Sequence, residues 1–150
     1  MQYVYVLYMN ELPIYAGLTN NPIKRYLAHY YHYDSSLYSY AREMLALKGK
    51  LLKMKIVYCN TDRSVASEME KVAIRVLHIH GFKIFNGGSF VTINSRKRLP
   101  ANLLTRTHLQ HIINSQREIL IEYGYNVDRY VNMDNSTSPR KRNGNQCSAG

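Results

Sequence analysis

Residues 2–22, "QYVYVLYMNELPIYAGLTNNP", constrain the fold more than any other stretch of the chain. From Gln2 to Tyr8 aromatic and aliphatic residues alternate, so Tyr3, Tyr5 and Leu7 share one strand face and Val4, Val6 and Tyr8 the other. After the polar connection MNELP, a second extended stretch runs from Ile14 to Thr19, close enough to pair as a hairpin. "NNP" then carries the chemistry of a helix start, with Asn20 or Asn21 as cap and Pro22 at the first helical position. A hairpin that runs straight into a helix brings strand and helix side chains to one place.

The remaining elements follow from periodicity. The first helix should reach about Tyr31, and a second should run from Ser36 to Leu47. Residues 52–59 read as a third strand, and TDRS offers caps for a helix from Arg63 to His80, stopped by Gly81. Leu109, Ile112, Ile113, Gln116, Ile119, Leu120 and Tyr123 fit one face of a C-terminal helix. The expected fold class is α+β: a small, mostly antiparallel three-stranded sheet flanked by helices, then a C-terminal helix and a disordered tail. The expected division is a domain over 1–95, a basic loop and helical extension over 96–131, and a tail over 132–150.

Charge narrows the function. Twenty Lys and Arg against ten Asp and Glu give a net charge of +10, which points to a polyanionic partner. No apolar run is long enough for a membrane span, and the chain starts directly with strand-like sequence, so an intracellular protein without a signal peptide is expected. The two cysteines, Cys59 and Cys147, are too few for a cysteine-based metal site.

Within the opening segment, Tyr15 and Gly17 point to one side of their strand, and Tyr5 on the neighbouring strand can reach the same place. Gly17 weakens a strand and marks a position where backbone or ligand must come close. On the helix from Pro22, Arg25 and His29 lie four apart and share a face, while Ile23 and Leu27 share another and should anchor the helix to the sheet. Two phenols, a guanidinium and an imidazole would thus meet, and a guanidinium suits phosphate because its planar fork donates two parallel hydrogen bonds.

A second unusual residue lies on the Arg63–His80 helix. With about 100° per residue, Ala66, Ala73, Ile74 and Leu77 fall within about 60° of Glu70, whereas Glu68 lies with Lys71 and Arg75. A carboxylate among apolar neighbours is costly unless it is paired or bound to a cation. A divalent ion such as Mg²⁺ and an internal arginine, Arg25 itself included, are both suitable partners.

Together these residues resemble the signature of the GIY-YIG nuclease superfamily, over roughly residues 3–90. Tyr3-Val4-Tyr5 matches the first motif and Tyr15-Ala16-Gly17 the second. Arg25 and His29 fall at the helix arginine and the His or Tyr after it, and Ala66, Glu70 and Ile74 match the metal-binding helix. Asn86, in FNGG, matches the asparagine near the end of the domain. Tyr3 stands in place of the first motif's glycine, Ala16 in place of an aliphatic residue, and Leu18 where some repair members carry lysine.

The resemblance implies a DNA endonuclease that hydrolyses phosphodiesters with one Mg²⁺ or Mn²⁺ held by Glu70. Arg25 would neutralise a phosphate oxygen, Tyr5 or Tyr15 would be general base, and His29 would assist. A free phenol has a pKa near ~10, and a nearby arginine and metal ion are expected to lower it. Asn86 would orient the helix–loop end or the tyrosines, or else serve as a turn residue before Gly-Gly. The partner would be DNA, duplex or branched, with RNA also open, and neither a membrane nor a small-molecule cofactor is expected. Residues 1–100 hold 14 Lys and Arg against 6 Asp and Glu, and Arg96, Lys97 and Arg98 are expected to contact phosphates. The alternative is a non-catalytic nucleic-acid-binding module that kept the fold.

Overall fold

A computed structural model describes residues 1–86 and 103–122. Strand β1 (Gln2–Met9) is the centre of a three-stranded, wholly antiparallel sheet of order β2-β1-β3, with β2 at Leu12–Thr19 and β3 at Lys53–Asn60. Four helices accompany it among the described residues: α1 (Pro22–Tyr31), α2 (Tyr38–Lys48), α3 (Arg63–Ile79) and α4 (Arg106–Glu122). The fold is α+β.

The hairpin is tighter than its sequence suggests. Asn10 and Glu11 alone form the turn, both at positive φ (53° and 67°), so β2 begins at Leu12 rather than Ile14. Left-handed pairs of this kind match the twist of the flanking strands. Glutamate rarely adopts that conformation, which is why the five-residue connection was the natural reading. Pro13 fits inside β2 because β2 is an outer strand and one of its edges has no ladder to supply.

Both faces of the sheet are covered. Tyr3, Tyr5, Leu7 and Met9 join a core with Tyr26 and Tyr30 of α1, Leu37, Ala41 and Leu45 around α2, and Ile112 and Ile119 of α4. Val4, Val6 and Ala16 are buried outside that core, and α3, whose one fully buried residue is Ala66, packs on all three strands. The anchors of α1 differ from expectation. Ile23 and Leu27 are half-buried at the margin, and the long aromatic rings of Tyr26 and Tyr30 reach the core instead.

Those two phenols also clasp the backbone of one residue, Leu52. Tyr26 donates to the carbonyl of Leu52 at 2.7 Å, and the Leu52 N–H donates to the Tyr30 oxygen at 2.8 Å, which fixes the approach to β3. Helix α4 is tied to α1 by Tyr26–Ser115 at 3.0 Å and by Gln116, which donates to the Ile23 carbonyl at 2.6 Å. Helix α2 is held through Arg42, which donates to the Tyr30 carbonyl at 2.9 Å and lies over the Tyr31 and Tyr38 rings. No described helix is long and apolar enough to cross a membrane. Tyr30→Phe keeps the ring but orphans the buried Leu52 N–H, so urea unfolding should show a loss of about 1–3 kcal/mol.

Candidate active site

Register places Tyr5 directly opposite Gly17 across the β1–β2 ladder. A Cβ built on Gly17 would collide with the Tyr5 hydroxyl and lie 2.9 Å from Tyr15 Cε1. The group that comes close at Gly17 is therefore the Tyr5 phenol. Glycine is required there because the ring folds back over its cross-strand neighbour. Tyr15, two residues earlier on β2, brings its ring to 6.1 Å from Tyr5 and 5.1 Å from His29.

Helix α1 carries the other half of the cluster. Its start is as the sequence suggests, with Pro22 in the first turn and Asn21 capping the Lys24 N–H at 3.1 Å. Arg25 and His29 then face Tyr5: Arg25 Nε donates to the Tyr5 oxygen at 3.4 Å, and His29 Nε2 lies 2.9 Å from it. On the other side of the ring, His29 Nδ1 is 2.7 Å from Ser35 Oγ, which also accepts the Leu37 N–H at 3.2 Å.

Arginine only donates, so the Tyr5 oxygen accepts from Arg25. His29 is a neutral imidazole held between the Tyr5 and Ser35 hydroxyls. Electrostatics agree: burial first, then the charges of Arg25 and His32, depress the His29 pKa to about 3. Ser35 had no signal in the sequence. It lies in a non-periodic loop, and only the turn after α1 brings it to His29.

Arg25 alone does not lower the Tyr5 pKa. Tyr5 is fully buried, and that burial, with Tyr15 next, pushes its pKa above the usual range; the opposing pull of Arg25 is smaller. Desolvation of a phenolate outweighs one long hydrogen bond. Tyr15 is only half-buried and stands at the solvent side of the cluster.

Asn86 meets the sheet from outside. Its side-chain oxygen accepts from the Ala16 N–H at 3.0 Å, and its amide donates to the Ala16 carbonyl at 2.6 Å. Beside it, the Phe85 N–H donates to the Ile14 carbonyl at 2.7 Å. These contacts satisfy the open edge of β2 on either side of Tyr15 and hold its backbone in place. Arg96, Lys97 and Arg98 lie outside the described residues.

Glu70 projects from α3 on the side the helical wheel assigns it. Ala66 is fully buried there, Ala73, Ile74 and Leu77 are half-buried, and Glu68 is exposed in an ion pair with Lys71 at 3.1 Å. Burial raises the Glu70 pKa against the fields of Arg63 and Lys71, and its own field reaches the Tyr5 hydroxyl. Among the described residues it makes no hydrogen bond or ion pair, with Arg25 or any other group. No described group of three or more His, Cys, Asp or Glu side chains could hold a metal. The donor set fits a hard ion that takes one carboxylate and draws its other oxygens from substrate and water, as Mg²⁺ does.

The neutral state of His29 has a measurable consequence. A histidine with a depressed folded-state pKa stabilises the fold above its ordinary value of about 6.5, and that contribution is lost as pH falls toward about 3. The melting temperature should drop between about pH 6.5 and about pH 4, more steeply in the natural chain than in His29→Phe. Equal slopes would mean that His29 is not held neutral.

No family model, curated protein or solved structure matches this chain. The site's own chemistry is the ground for its function.

Proposed function

We propose that the chain is a GIY-YIG-type endonuclease that hydrolyses DNA phosphodiester bonds. The observation that carries this reading is one constellation: Tyr5, Tyr15, Arg25 and His29 converge over Gly17, with the Glu70 carboxylate, which has no hydrogen bond or ion pair among the described residues, close enough for its field to reach Tyr5. The α+β fold with its three-stranded antiparallel sheet is compatible with that family.

Each residue has a part in the hydrolysis. Water attacks phosphorus, the bond to the leaving oxygen breaks, and that oxygen ends with a proton. Arg25 donates to a non-bridging phosphate oxygen and offsets the charge that grows there. Tyr15 is the phenol that substrate and water can reach, so it takes the role of general base. In that role its phenolate oxygen takes the proton of the attacking water. Tyr5, buried and bonded to His29, positions Arg25 and packs against Tyr15. Asn86 holds the strand that carries Tyr15. Glu70 would hold Mg²⁺ or Mn²⁺, which when bound supplies Lewis-acid stabilisation at the phosphate.

A non-catalytic binding module would leave Glu70 without a purpose, because a carboxylate repels phosphates. The decisive comparison sets it against Glu68 on the same helix. Glu70→Gln should cut DNA slower by orders of magnitude, with DNA affinity and melting temperature held or raised, since a half-buried carboxylate whose desolvation outweighs the fields of Arg63 and Lys71 is lost. Glu68→Gln breaks only an exposed pair of about 0–1 kcal/mol and should cut normally. Chelator should stop the natural chain. Normal cleavage by Glu70→Gln would make that carboxylate structural.

A further inference from the structure

We infer that the concavity beside Arg25, between the end of β2 and the last turn of α1, is a second phosphate site that holds a backbone phosphate flanking the scissile one. The inference rests on the nuclease reading for the identity of the scissile site. It is a pocket of about 200 Å³ lined by Thr19, Asn20, Asn21, Lys24, Arg25 and His32, with Ala28 beneath.

Its lining is one-sided in charge. Two fixed cations and an imidazole face it, and among the described residues no carboxylate does. Neither Lys24, Arg25 nor His32 belongs to an ion pair; Lys71–Glu68 is the one such pair among the described residues. Like charges around one concavity repel, and an anion between them relieves that repulsion. The backbone amides here are already used: the Lys24 N–H is bonded to Asn21 Oδ1 and the Arg25 N–H to the Asn21 carbonyl at 3.0 Å. Binding therefore falls to the Lys24, Arg25 and His32 side chains.

Arg25 identifies the class of ligand. Its Nε donates to Tyr5 in the catalytic cluster, and the same residue lines this pocket. One guanidinium standing between two anion-accepting places suits a molecule with phosphates repeated along a chain. A nucleic-acid strand has that form, whereas a single phosphate would fill only one place. Arg25 can hold both phosphates of such a step, and Lys24 and His32 set the register of the strand on Tyr15.

The test is fluorescence anisotropy of a labelled DNA duplex in chelator across a salt series, with the natural chain, Lys24→Ala, His32→Gln and, as control, Lys53→Ala on β3. Lys24 and His32 are exposed, so neither variant threatens the core. Both should bind more weakly, and Lys24→Ala should lower the magnitude of the log K against log salt slope by about 0.9, the value of one lost duplex phosphate contact. In cleavage, Lys24→Ala should lower kcat/KM several-fold. Unchanged affinity and slope in Lys24→Ala would overturn the site, as would an equal loss in Lys53→Ala, which would indicate only a diffuse field. If the natural chain binds but cuts no DNA, the nuclease reading fails, and the anisotropy series alone decides whether the pocket holds phosphate.

Discussion

The Tyr5 hydroxyl is a polar group at the centre of the sheet with no access to water. Leaving it unpaired would cost about 1–3 kcal/mol, so the surroundings must supply partners. Much of the local structure follows from that demand. Gly17 has no side chain because the phenol occupies the space. Helix α1 must turn Arg25 and His29 toward the strand, and the loop after it must return Ser35 to His29. One buried oxygen thereby ties β1, β2, α1 and the α1–α2 loop together. The burial that encloses it also keeps the His29 imidazole neutral.

The same burial separates two tyrosines that look equivalent in the sequence. Both stand in signature-like triplets, and both contact the same imidazole ring. Depth distinguishes them. Tyr5 is fully buried against α1 and is pushed away from the phenolate, while Tyr15 lies toward solvent beside the arginine. Division of labour follows: the inner phenol is scaffold for the arginine, and the outer one can meet a substrate. Asn86 serves that division from the far edge, because a fixed Ala16 peptide leaves Tyr15 little freedom to swing.

The elements were legible wherever periodicity and end signals agreed. Alternation gave β1, the Asn-Pro start gave α1, and the wheel separated Glu70 from Glu68, because each rests on local chain geometry. The left-handed turn at Asn10-Glu11 was hidden by its glutamate, and the anchoring of α1 by tyrosines was hidden because phenols are ambiguous between core and surface. Ser35 and the double hydrogen bond of Asn86 to Ala16 depend on contacts between distant segments, for which no spacing rule exists. Sequence shows the arginine beside Tyr5 but not the depth of burial that outweighs that arginine's pull.

The claim that this cluster is a phosphodiester-hydrolysing centre is tested most directly by the rate of plasmid DNA cleavage in Mg²⁺ for the natural chain and for Tyr15→Phe. The substitution keeps the ring that packs against Tyr5 and His29 and removes only the hydroxyl. The account predicts cleavage by the natural chain and a loss of orders of magnitude in Tyr15→Phe, with the melting temperature unchanged. A natural chain that leaves DNA intact, or a Tyr15→Phe variant that cuts at the full rate, would contradict it.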